Sequence, residues 1–404
     1  MKRAFALLAA ALFALSLHAA DPQPLPPWSE GMLDIHQIST GRGNAALVIF
    51  PDGTTMLVDA GAANDGLPME GAEPRPNASK RAGEWIVRYI ERAMAPRAAH
   101  LDYAIVTHYH ADHFGQVTTA SPASKSGAFK LTGLADVGHA IAIDTIIDRG
   151  RTYLKPDDPS FKNYDAFVEE QKAKRGTKNE ALRVGRNDQI VLRHAAAKYP
   201  TFEVRNVAAN GVIWTGEGEK TISIFPPLDS VSEEDKPSEN MCSVGLRIRY
   251  GKFDFFTGGD IPGVPDAGAP EWQSVETPIA RATGATDVHV VNHHGSISPE
   301  SANWLATLRS SVMILPSWSA THPSQDVLKR MMTARLYPGP HDIFCTVLRE
   351  PTKLSIGSRA KQVKSDHGHV VVRVAPGGAT YQVFVLDDTR EDAPVVASYA
   401  YESK

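Results

Sequence analysis

The sequence predicts an α/β fold, and three observations carry that expectation. Short β-branched runs alternate with amphipathic stretches along most of the chain. The length, 404 residues with 42% hydrophobic and 22% charged, is ample for a large buried core. Ligand-capable side chains recur just past apolar runs, where a rigid sheet edge meets solvent.

At the N-terminus, Lys2 and Arg3 precede an apolar run over 4–17, followed by small residues before Asp21. This is the pattern of a cleaved secretory signal over 1–20, because the run is too short to span a bilayer comfortably. No later stretch approaches the length of a transmembrane helix, so residues 21–404 are expected as an exported domain, periplasmic or secreted, without stable membrane insertion. Without Lys2 and Arg3, 40 basic residues face 46 acidic ones, or −6. Gripping nucleic acid along the whole chain needs phosphate neutralisation, and this balance argues against it, leaving only a local basic patch. Cys242 and Cys345 are the two cysteines; they could pair in an oxidising compartment, but two in such a length do not make a disulfide scaffold.

NAALVIF (44–50) and TMLVDAG (55–61) flank Pro51-Asp52-Gly53 and predict a hairpin. A helix follows over about 80–94, where Trp85, Ile86, Tyr89 and Ile90 recur at helical spacing. YAIV (103–106) reads as a buried strand. Between about 120 and 240, an elaborated insertion within a single domain is expected. Its strands are DTIID (144–148), QIVLRH (189–194), FEVRNVAA (202–209) and ISIF (222–225), with a charged helix around 164–174. PPLDSVSEEDKPSENM (226–241) predicts a surface loop. SVGLRIRY (243–250), FDFFTGGD (253–260), DVHVVN (287–292), VMILP (312–316) and IFCTVL (343–348) predict further strands. Helices are expected from Ser298-Pro299-Glu300, with Ser298 as N-cap, and from Ser324. HVVVRVAP and ATYQVFVLDD predict a terminal hairpin around Gly377-Gly378.

The chemistry concentrates in THYHADHFGQ (107–116), which places His108, His110, Asp112 and His113 within six positions directly after a strand. In an extended strand end, His108 and His110 project to one side. Such a mix of nitrogen and oxygen donors suits zinc, with manganese or iron as other candidates. Three more stretches bring ligand-capable residues to strand ends: Asp260 in FDFFTGGD, His293 and His294 in VVNHHGS, and His322 in SATHPSQD.

His108-x-His110-x-Asp112-His113 resembles the signature of the metallo-β-lactamase superfamily, which implies a four-layer αββα sandwich with a metal site at one edge. More narrowly, the chain is similar to the soluble hydrolase domain of competence-type DNA-uptake channel proteins. The matching stretches are GRGNAALVIFPDGTTMLVDAG, THYHADHFGQ, NMCSVGLRIRYGKFDFFTGGD, DVHVVNHHGS and THPSQDVLKRM, in that order. The resemblance implies two divalent metal ions, zinc first and manganese second. His108 and His110 would bind one; Asp112, His113 and a histidine of the HHGS pair would bind the other; Asp260 would bridge them. His293 is preferred for that pair as nearer the strand end, and His294 stays open. Asp59 matches a structural position. The third histidine that most relatives supply to the first metal has no match. His139 and His194 lie in the interval outside the expected setting, and the matching position falls near Asn240 and Ser243.

The resemblance implies a secreted hydrolase that cleaves a phosphodiester, in a small molecule or a polymer, with a metal-bound hydroxide. Asp112 would orient that hydroxide as well as bind metal, and His322 would donate a proton to the leaving group or hold a phosphate oxygen. The membrane channel of the competence-type proteins has no counterpart here, nor has the acidic residue at Asn44. Hydrolysis of a lactone, amide or thioester on the same scaffold, and a non-catalytic metal-binding protein, are the competing readings.

Overall fold

The computed structural model describes residues 23–63, 71–151, 153–154 and 156–404. The expected signal segment 1–20 lies outside them. Among the described residues, no helix is long and apolar enough to cross a membrane.

In chain order, β1 (Leu33–Gln37), β2 (Ala46–Ile49), β3 (Thr55–Val58), β4 (Leu101–Val106), β5 (Ile143–Asp148) and β6 (Lys178–Ala181) lie side by side in one sheet. Strands β7 (Phe202–Ala209), β8 (Val212–Trp214), β9 (Thr221–Ser223), β10 (Gly245–Tyr250), β11 (Phe253–Gly258), β12 (Val288–Val290), β13 (Val312–Leu315) and β14 (Asp342–Cys345) build the second. The chain then returns to the first sheet, where β15 (His369–Val374) pairs with β1, and β16 (Thr380–Leu386) and β17 (Val395–Glu402) extend that edge. Both sheets are mixed: β3 to β6 and β11 to β14 run parallel, and the other pairings are antiparallel.

The central strands β2 to β4 are buried on both faces and largely apolar on both. Val48, Met56, Val58, Tyr103 and Ile105 point at the second sheet and meet Leu246, Ile248, Phe255 and Ile314 there. Their neighbours Leu47, Leu57, Ala104 and Val106 point outward to helices α1 (Ala82–Met94), α3 (Leu134–Ala140) and α4 (Pro159–Arg175), the last two following a single turn, α2 (Ala111–Phe114). On α1, Ile86 and Ile90 fall one turn apart and are fully covered, each contributing about 1.5–3 kcal/mol by the area removed from water. Helices α5 (Glu276–Thr283) and α6 (Ala302–Leu308) cover the far face of the second sheet around Phe256 and Val207, and α7 (Gln325–Met332) and α8 (Glu350–Ile356) cover β13 and β14. Helix, sheet, sheet, helix is the expected αββα sandwich.

Most expected elements are present, with two corrections. QIVLRH forms no strand, because other partners satisfy its backbone: Val191 donates to Tyr103 Oη, Arg193 to Thr54 Oγ1 and His194 to Asp52. The helix expected from Ser298 begins at Ala302 with Ser301 as its cap. Glu300 is instead pulled into the left-handed region (φ 59°), its N–H donating to Glu276 and its carboxylate meeting His289. Cys242 and Cys345 are both buried free thiols.

Candidate metal centre

Strand β4 ends at Val106, and residues 107–113 cross the edge of the sandwich into α2. With the backbone still extended at His110 (φ −97°, ψ 148°), alternation brings His108 and His110 to one side, Nε2 to Nδ1 at 3.1 Å. Tyr109 goes the other way, packed on Phe161 and under the Arg149 guanidinium. The turn of α2 then aims Asp112 and His113 back at the cluster. Gly61 makes that turn fit: a Cβ there would lie 1.9 Å from the Asp112 carbonyl oxygen.

Asp260 arrives from the other sheet, two residues past β11. A Cβ on the preceding Gly259 would strike Thr107 Oγ1 at 2.7 Å, so only glycine lets the two sheets approach this closely. Ser243 Oγ accepts from the Asp260 N–H at 3.0 Å. Ser243 therefore supports the backbone of Asp260 rather than facing the histidines.

Asp260 divides the cluster. Its Oδ1 lies 3.1 Å from His113 Nε2 and 3.5 Å from His294 Nε2, and Asp112 Oδ2 lies 3.0 Å from His294 Nε2. Its Oδ2 lies 3.6 Å from His108 Nε2 and 3.7 Å from His293 Nε2. Two groupings of donors with metal-holding spacing result: Asp112, His113, Asp260 and His294; and His108, His110 and Asp260. The geometry places His294, not the preferred His293, beside Asp112 and His113. His293 and His294 both take left-handed backbone angles (φ 46° and 52°), which splays adjacent rings to opposite sides of Asp260. His139 on α3 belongs to neither grouping, and His194 lies 4.0 Å from Asp102 at the opposite end of β4.

Surrounding groups fix the rings. Asp59, itself left-handed at φ 60°, accepts from the Thr107 N–H, Thr107 Oγ1, Asn44 Nδ2 and His113 Nδ1. The Pro316 carbonyl accepts from His294 Nδ1 at 3.0 Å. With both Nδ1 atoms donating, the Nε2 lone pairs of His113 and His294 point at one another across 3.2 Å. Two facing lone pairs repel, whereas a cation between them binds both, so the donor set fits divalent metal ions.

The electrostatics agree. Burial works against ionisation of Asp112 and Asp260, yet the charges of His113 and His294 outweigh it and hold both carboxyls low. Burial likewise opposes charge on His113 and His294, and the surrounding carboxylates overcome it and raise both. The pocket thus favours positive charge on the Oδ1 side, carried either by a proton on Nε2 of these rings or by a cation that takes that proton's place. His108 is pushed well down by burial and by His113, and His293 down by burial, so both are neutral nitrogen donors at neutral pH.

His322 stacks on His294, ring centroids 5.1 Å apart, with Trp318 edge-on to both. Its Nδ1 is buried without a hydrogen-bond partner, and burial followed by the charge of His294 lowers its pKa to about 3. Sequence reasoning missed Trp318, and also the anchor behind Asn240. There Arg149 donates twice to Glu239 at 2.6 Å, and Glu239 accepts the Tyr109 N–H. No local pattern marks such partners, which meet only through the fold.

Residues 39–167 match the model of the metallo-beta-lactamase superfamily. That stretch holds Asp59, His108, His110, Asp112 and His113 and ends before Asp260. No curated protein matches the sequence. Among solved structures, the chain is similar to a mutant of CmlA beta-hydroxylase at 13% identity and TM-score 0.35, over 86% of this chain and 54% of that one. It is also similar to a protein of unknown function from Enterococcus faecalis at 9% identity and TM-score 0.29, over 79% and 71%. The chain spans about half the length of the first of these.

Proposed function

We propose that this metallo-β-lactamase superfamily domain is an exported, metal-dependent hydrolase of phosphodiesters. The observation that carries the reading is Asp260, whose two oxygens each face a separate set of imidazoles. Two divalent cations held by these residues would supply a nucleophile from water near neutral pH and would offset charge on the attacked group.

The chain's own residues supply the rest. Asp112 and Asp260 stay ionised and hold the positive side of the centre together. Asp59 fixes the His113 ring so that Nε2 faces inward. His322, neutral and stacked on His294, suits holding a substrate oxygen through an N–H better than acting as a standing acid, since its proton is lost far below neutral pH.

A phosphodiester is favoured over a lactone, amide or thioester by a neighbouring cleft of about 730 Å³ whose walls carry Arg42, Lys80, Arg81 and Arg349 against Glu73 and Glu84, with Arg81 paired to Glu84 and Asp136. Gly71 lines this cleft and is backed by Trp318, whose ring borders His294 and His322. A cleft beside the centre with more basic than acidic lining residues suits an anionic substrate despite the acidic balance of the whole chain. The likeness of the HxHxDH and HHGS stretches to competence-type hydrolase domains supports the same class, and the N-terminal charge and apolar pattern supports export.

The test is hydrolysis of bis(p-nitrophenyl) phosphate by protein stripped of metal and reloaded with zinc or with manganese, beside Asp112→Ala. Reloaded wild type should turn over. The variant should lose more than about a hundredfold, the upper end of what disturbing even an outer partner of a ligand costs. Faster turnover of a lactam, lactone or thioester than of any phosphodiester would overturn the substrate class.

A further inference from the structure

We infer that His293 supplies the third imidazole of the His108–His110 half of the centre, with Asn240 beside it, so that the adjacent residues His293 and His294 serve different metals. The inference rests on the proposed metal dependence and deepens it. A chain that offers His108 and His110 but no third histidine from the usual loop leaves that half short of the three protein ligands typical of a catalytic cation.

Three observations place His293 there. Its Nε2 lies 3.7 Å from Asp260 Oδ2, the oxygen that also faces His108 Nε2 at 3.6 Å, while His294 keeps to the Oδ1 side. The left-handed backbone at both residues is strained for a histidine, and its effect is to aim two successive rings at the two oxygens of one carboxylate. Last, Asn240 Nδ2 lies 3.3 Å from His293 Nε2, which makes Nε2 the acceptor nitrogen of that ring; a cation bound there would take the same lone pair and displace this hydrogen bond.

Asn240 is held for this position by its neighbour. Glu239 is clamped by the fully buried Arg149 and by the N–H of Tyr109, which lies between His108 and His110 in the chain. Asn240 Oδ1 is buried with no partner, and rotating the amide would bring that oxygen towards His293. One side chain thus couples the loop before β10 to the strand end after β4.

The assignment is tested by counting metal, not by turnover. Wild type, His293→Ala, His108→Ala and the His108→Ala/His293→Ala double variant are loaded with zinc and with cobalt(II). Bound equivalents are measured by elemental analysis and affinity by competition with a chelator. If His293 and His108 serve one cation, each single variant keeps one equivalent at wild-type affinity and weakens the other at least about tenfold. The double variant keeps that same tight equivalent, which also shows that it is folded. The cobalt(II) absorption of the weakened half should change in His293→Ala and that of the retained half should not. Single variants that each weaken a different equivalent, with both weakened in the double variant, would put His293 with Asp112 and His113 and overturn the inference. Two equivalents at wild-type affinity in His293→Ala would also overturn it while leaving the hydrolase reading intact. A wild type that binds no divalent metal would remove both.

Discussion

The two oxygens of Asp260 look out on differently built neighbourhoods. On the Oδ1 side, His113 and His294 are buried, and each has its Nδ1 tied to a fixed acceptor, Asp59 or the Pro316 carbonyl. On the Oδ2 side, His110 is exposed, the His293 side chain is 26% exposed against 2% for His294, and His293 Nδ1 finds no partner. The turn that carries both His293 and His294 is left-handed in each, and His108 is as buried as His113, so the difference lies in His110 and His293: the Oδ1 half is the more completely fixed by hydrogen bonds. Pre-set ligands lose less freedom on binding, so the Oδ1 half should be the tighter of the two.

The sharpest way to break that contrast is Asp59→Asn. The amide keeps the size and tolerates the left-handed backbone, but it offers one acceptor where the carboxylate serves four donors. Chelator competition should show the tighter equivalent weakened about 10–100-fold and the weaker one unchanged, which brings the halves level. Equal weakening of both would show that Asp59 supports the whole edge instead.

A smaller effect concerns the floor beneath the HHGS turn. Glu276 accepts from Asn292 Nδ2 and from the N–H groups of Glu300 and Ser301. Burial, then the charge of Glu300, pushes its pKa up to about 7. A carboxyl raised on folding stays protonated in the native state while the unfolded chain has already lost its proton. Its ionisation therefore makes stability fall as pH rises from about 4.5 towards 7. Denaturant midpoints of metal-stripped protein should decline across that window. Glu276→Gln should flatten the decline, whose slope is at most about 1.4 kcal/mol per pH unit for one proton. An unchanged slope would assign the pH dependence to other groups.

Much of this edge is legible in the sequence, because the information is local. Apolar runs give the strands, and the two-residue period of a strand end puts His108 and His110 together. Asp260 is legible because the two glycines before it mark a close backbone approach. What escapes is set by contacts between distant residues. Ser298-Pro299-Glu300 carries every local mark of a helix start, yet Glu276 and His289 hold Glu300 out of a helix. QIVLRH has strand composition, yet Tyr103, Thr54 and Asp52 take the hydrogen bonds a neighbouring strand would have made. The division of labour between His293 and His294 is illegible for the same reason, since nothing local announces two consecutive left-handed residues outside glycine.

The central claim is that one carboxylate joins two metal-holding halves, and it is tested most directly by how many divalent ions the purified chain holds. After stripping and reloading with excess zinc, gel filtration and elemental analysis should find two equivalents per chain in two affinity classes. A single class of one equivalent, or none, would contradict the account.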